Sequence, residues 1–180
     1  MSFSLYASTV PTFLQLLAST RTVLGKAAAW GREKGFSEAD MLGWRLAEDM
    51  FPLGLQVVQL VAHSSRAVDA VARGIFTPDL SGPDVNFAAC AARIGQAVDF
   101  LEAVEPRAFN ALVGRDMRFE FGDRRMHFSA EEFLFTFSQP NFFFHVSTAY
   151  GILRSHGLPI GKGDYMGAIR LKPLPGTPDA

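Results

Sequence analysis

Apolar residues in the first part of the chain recur at helical spacing. Leu5, Val10, Phe13, Leu14, Leu17, Val23 and Leu24 mark one face of a helix expected over 4–34. Pro11 falls near its start, where a missing N–H is tolerated, and Gly35 stops it. Ser37 is placed to cap a short helix over 38–46, with Asp40 at the third position. Asp49 and Pro52 then mark the start of a second long helix reaching about residue 73, ended by Gly74. Leu53, Val57, Leu60, Val61, Val68 and Val71 form its core stripe. Residues 77–84, rich in proline, glycine and aspartate, read as a loop, and a third long helix follows over 85–103.

The period then changes. Met117, Phe119 and Phe121 alternate, Gly122 and Asp123 turn the chain, and Met126 and Phe128 alternate again, which is the signature of a short β-hairpin. Ser129-Ala130-Glu131-Glu132 is a capping box opening a fourth long helix. Pro140 is expected to kink or split that helix, with Asn141 restarting it and His156-Gly157 ending it. Residues from about 158 to 180 read as an irregular tail. The pattern predicts an all-α fold: a four-helix bundle with a short β-hairpin between helices 3 and 4, in one domain over 1–180.

The fourth helix is apolar on nearly every face, yet carries His145 among Phe142, Phe143 and Phe144. A helix of that kind is buried all round. A buried imidazole must find a partner, because an unpaired buried polar group costs roughly 1–3 kcal/mol. His145 is therefore the primary candidate site residue. Asp49, Gln56 and His63 lie seven residues apart, near one face of the second helix. Over 14 helical residues Asp49 and His63 would stand about 21 Å apart, so at most one of them is expected to face His145. Asn141 and Tyr150 complete the candidate ligand pocket of His145, Asp49, Gln56, Asn141 and Tyr150. His127 is placed on the polar side of the hairpin and His156 in the last turn of its helix. The Phe142–Phe144 run reads as core or subunit interface.

Composition narrows the partners. Of 180 residues, 48% are apolar, which argues against disorder, and 17 are phenylalanine. Net charge is −1, so no basic face for nucleic acid or acidic membranes is expected. The one cysteine, Cys90, reads as a small buried apolar residue and fits a reducing, cytoplasmic compartment. No secretory signal is expected in the first eleven residues, and no run of about 18 apolar residues predicts a membrane span. The sequence contains no His-x-x-x-His pair, no Gly-x-Ser-x-Gly and no Gly-x-Gly-x-x-Gly. Gly161-Lys162-Gly163-Asp164 lacks the glycine spacing of a phosphate loop. Phenylalanines that four helices do not bury would supply a homodimer face.

Three stretches carry a resemblance. They are Ser4-Leu5-Tyr6 with Val10-Pro11-Thr12-Phe13-Leu14; Asp49-Met50-Phe51-Pro52-Leu53 with Gln56-Val57; and Pro140-Asn141-Phe142-Phe143-Phe144-His145 with Ala149-Tyr150 and Leu153-Arg154, continued by Gly157-Leu158-Pro159-Ile160-Gly161-Lys162. Together they resemble an uncharacterised family within the DinB/YfiT-like superfamily of four-helix bundles. That resemblance implies the bundle fold and, for metal-binding members, three histidines: one on the second helix and a His-x-x-x-His pair on the last. Here His145 matches, but its partner position is Ala149, and Gln56 stands near the second-helix position. The resemblance thus implies a branch without the standard metal site, possessing at most His145 as a ligand. The expected function is small-molecule binding near His145 with no cofactor. The alternative is a zinc- or nickel-dependent thiol transferase or hydrolase, in which Gln56, Asp49 or His63 joins His145.

Overall fold

Pro11 lies in the first turn of the first helix, where its lost N–H has no intrahelical partner. In the computed structural model, which describes residues 4–172, this helix is α1, Val10–Lys34, with residues 5–9 forming turns rather than helix. Gly35 ends it in the left-handed region at φ 77°, a conformation that suits glycine. Ser37 accepts the Asp40 N–H at 3.1 Å and starts α2, Glu38–Gly43. This helix is shorter than expected because Trp44 is extended and ends it.

The next long helix, α3 (53–73), does not begin at Asp49. Its N-cap is Pro52, and no side chain caps it. Residues 46–50 form bends and turns, so Asp49 lies outside the helix. Within α3 the ordinary helix Leu53–Val61 widens into a π turn at Ala62–Arg66 and resumes over Ala67–Arg73. Strand β1, Ile75–Phe76, follows; two residues are too few to show a period. The loop beyond is tied down by Asp84, which takes both guanidinium donors of Arg93 at 2.7 and 2.9 Å. Helix α4, Phe87–Glu102, starts at Asn86, whose side chain accepts from Ala89 N–H. Short α5, Pro106–Asn110, is capped by Glu105 and was not expected from the sequence.

Strands β2, Asp116–Phe121, and β3, Arg124–Ser129, pair antiparallel across a two-residue turn in which Gly122 has φ 55°. The pairing of β1 with β2 is parallel, giving a three-stranded sheet in the order β1-β2-β3. Ser129 and Glu132 close the capping box on α6 (130–155). The expected disturbance at Pro140 takes the form of a change of helix type. A π turn, Phe133–Ser138, immediately precedes the ordinary helix Gln139–Ser155 and widens the coil where Pro140 would otherwise crowd the preceding turn. The expected irregular tail contains α7, Lys162–Met166, seated on α1 by Gln15 Nε2 donating to the Met166 carbonyl and Ser19 Oγ donating to the Tyr165 carbonyl. The part of that tail at 173–180 lies outside the described residues.

The chain is therefore mostly helical, with a small sheet. The long helices meet as neighbours: α1 on α4 and α6, and α3 on α4 and α6. Their shared core includes Phe13, Leu17, Leu60, Ile94, Phe133 and Phe142, all fully buried. Phe76, Phe119, Phe128, Phe133 and Phe137 pack ring against ring and seal the sheet onto the helices. The two π turns face each other there. Ser138 Oγ, fully buried, donates to the His63 backbone carbonyl at 2.8 Å.

Replacing Ser138 by alanine strands that buried carbonyl without changing much volume. Ser138→Ala is expected to lower unfolding free energy by about 1–2 kcal/mol in urea titrations, against a loss within error if the link between the π turns contributes nothing.

Candidate functional site

Heptad spacing on α3 brings Gln56 and His63 to the side that meets α6, and α6 answers with His145, on the same face as Phe142, Val146 and Ala149. Gln56 is only 1% exposed. Its two ends are committed: Nε2 donates to the Phe51 carbonyl at 2.8 Å, and Oε1 meets His145 Nδ1 at 2.7 Å. A carbonyl can only accept, so the Phe51 contact fixes which end of the amide is NH₂. The oxygen is left facing the ring, and His145 must carry its proton on Nδ1. The other nitrogen, Nε2, presents a lone pair. It makes no hydrogen bond to a described residue, and it is not among their sealed, unpartnered atoms.

His145 lines a crevice of about 250 Å³ together with Asp49, Met50, Phe51, Gln56 and Phe144. Phe51 and Phe144 are exposed, at 49% and 54%, and form apolar walls. The Phe144 ring stands edge-on to His145 with centroids 5.3 Å apart. Asp49 is exposed at the mouth.

Behind His145 lies His63, in the π turn of α3 and 7% exposed. The two rings stack at 5.8 Å with planes 14° apart. His63 also stacks on Phe76 and meets Phe137 edge-on. Its Nδ1 is the one buried side-chain nitrogen or oxygen among the described residues without a hydrogen-bond partner. Burial pushes the His63 pKa down to about 3, helped by the His145 charge, and burial alone pushes His145 down to about 4. Both imidazoles are neutral at pH 7.

Of the five residues expected to form the pocket, the structure brings together His145, Gln56 and Asp49. Asn141 is one turn away and donates to the Phe137 carbonyl at 2.7 Å, bracing the π turn of α6. Tyr150 lies on another side of α6, against Tyr165 of α7, beside a cleft between α1 and α6. The expectation that at most one of Asp49 and His63 approaches His145 fails. It assumed an unbroken helix, whereas the turn at 46–50 carries Asp49 to the crevice while His63 stacks behind the ring. His127 is exposed, and His156 stacks flat on Trp44 at 4.0 Å. Sequence reasoning missed Met50, Phe51 and Phe144 as crevice walls. The signal available was Phe144 itself, which lies on a different face of α6 from Phe142.

Metal-binding members of the superfamily hold a divalent metal, and the residues present here do not fit one. No three histidine, cysteine, aspartate or glutamate side chains among the described residues are grouped to share an ion, and structural or catalytic zinc needs at least three protein ligands. Nδ1 of His145 is occupied by Gln56, and the position one turn on is Ala149, buried and without a donor.

Acid should expose the cost of two neutral buried imidazoles. Each binds its proton near pH 6.5 when unfolded but only near pH 3–4 when folded, so the unfolded state holds more protons between those values and stability falls as pH falls. Above pH 6.5 the effect vanishes. From pH 7.5 to 5 the unfolding free energy in urea is expected to drop by about 2 kcal/mol per histidine, a window lying above the titration of ordinary carboxylates. His63→Phe should remove about half of the drop.

This architecture has a counterpart among known proteins. It is similar to the crystal structure of a DinB family member protein from Shewanella denitrificans, with a TM-score of 0.79, 28% identity, and coverage of 94% of this chain and 96% of that one. No match was found among proteins of curated function. A family model described as a domain of unknown function, DUF1993, matches residues 5–166. With nine-tenths of its length inside that match and a DinB protein as its structural likeness, the chain belongs to the DUF1993 family, a branch of the DinB-like superfamily.

Proposed function

We propose that this protein binds a small molecule in the crevice above His145, on a single-domain four-helix bundle of the DinB type whose hairpin lies between the third and fourth long helices. One observation carries the reading: a neutral imidazole is held in one tautomer by a buried amide, and its free nitrogen is left at the floor of an aromatic-walled crevice. A preset acceptor among apolar walls is the composition of small-molecule sites.

Magnitude separates binding from acid–base catalysis. With its pKa near 4, His145 takes a proton at pH 7 in about one molecule in a thousand. General bases work best with a pKa near the working pH. His145 thus serves as a hydrogen-bond acceptor rather than a proton carrier, and the reading leans away from an enzyme. Cys90 offers no nucleophile either: burial pushes its thiol up to about 12. The cytoplasmic placement rests on the lone cysteine of the sequence alone. No helix among the described residues is long and apolar enough to cross a membrane. For the expected homodimer, the best-suited face is the apolar groove of Val68, Phe100, Val104, Phe109 and Leu112 between α3, α4 and α5. Sedimentation of the purified protein tests it.

A small-fragment screen should raise the melting temperature, because a ligand that binds only the folded state stabilises it. The rise is expected to disappear in His145→Phe and to survive in Tyr150→Phe; its survival in His145→Phe would move the site elsewhere. Metal content by plasma mass spectrometry, on untagged protein purified without chelators, should fall well below one ion per chain. Stoichiometric zinc or nickel would instead restore the metalloenzyme reading.

A further inference from the structure

Resting on the crevice reading above, we infer that the ligand is a compact primary amine: one ammonium group on an apolar, ring-sized body. The argument is a count of what the crevice offers. Asp49 presents a carboxylate with no hydrogen bond or ion pair to any described residue. His145 presents the Nε2 lone pair, forced outward because Gln56 occupies Nδ1. Met50 adds only a thioether, a weak acceptor. The Gln56 oxygen is taken by the ring and its NH₂ by the Phe51 carbonyl. No lysine or arginine lines the space. Arg45, on the same loop, turns back to the Glu48 carbonyl at 3.3 Å.

A site with acceptors and one negative charge repels carboxylates and phosphates and matches a cation with several N–H donors. An ammonium has three donors and no acceptor. It fits a carboxylate on one side and an imidazole lone pair on the other. The remaining lining, Phe51 and Phe144, is aromatic, and an aromatic face attracts a cation as well as covering an apolar body. Size limits the class further. Pockets for drug-sized ligands run roughly 300–1,000 Å³, and this crevice is about 250 Å³. A single ring on a short chain fills a space of that size.

Three isosteric probes decide the matter: 2-phenylethylamine, 2-phenylethanol and phenylacetate, each titrated at pH 7.5 into full-length protein while the side-chain imidazole resonances are followed by NMR. The amine is expected to move the His145 signals saturably, with a dissociation constant at least tenfold below the alcohol's. Asp49→Asn, at an exposed turn position, should weaken the amine about tenfold and leave the alcohol unchanged. If the alcohol or the carboxylate moves His145 with equal or better affinity, or if Asp49→Asn leaves the amine's affinity unaltered, the amine assignment falls while the crevice remains a binding site. If no probe moves His145, the assignment and the crevice reading both fall.

Discussion

The amide of Gln56 has two neighbours that leave it no freedom. The Phe51 carbonyl admits only its NH₂ end, so its oxygen must face the imidazole, and the imidazole must answer with a proton. From that constraint follow the tautomer of His145, the direction of its lone pair and the placement of the turn that carries Asp49. The same amide ties the entry of α3 to the middle of α6. A buried amide satisfied at both ends is a rigid strut, since leaving either end unmet costs roughly 1–3 kcal/mol. The site and the packing of these two helices are thus one device.

Behind the strut the helices pass through two π turns. A π turn widens the coil and disturbs the regular ladder, and Ser138 supplies a donor for the His63 carbonyl across the interface. His63 itself is only half accommodated. Its ring is packed on three sides by aromatic neighbours, yet Nδ1 finds no partner. The fold tolerates this because the ring stays neutral, which burial enforces. Stacking behind His145, it provides a flat and uncharged backing that holds the second ring against Gln56.

Much of this was legible in the sequence, for reasons that differ by element. The long helices announced themselves because their apolar residues repeat over many turns, and Gly35, Ser37, Ser129 and Gly74 carry local chemistry that acts within a few residues. His145 and Gln56 stood out as polar groups on faces too apolar to leave them wet. Other features depended on geometry that no short pattern encodes. The sequence 46–50 reads as well as a helix start as it does as a turn, and the difference decides whether Asp49 reaches His145. β1 and α5 are too short for a period, and α7 is held by hydrogen bonds to α1, more than 140 residues away in the chain. The π turn at 62–66 has no short sequence signal, whereas the one at 133–138 is followed by Pro140, whose disturbance of the helix was legible without its form.

Each π turn amounts to one extra residue inserted into a helix of 3.6 residues per turn. Removing a single residue from 133–138 would leave α6 able to continue as a plain α-helix. Because the widened turn takes up the extra residue locally, Gln139–Ser155 would keep its phase and His145 would still face Gln56. The widened turn is thus a buffer: it stores a residue without turning the site. A deletion in the ordinary helix beyond it, between 139 and 145, has no such slack and would rotate His145 by about 100° relative to the part of the helix before the deletion.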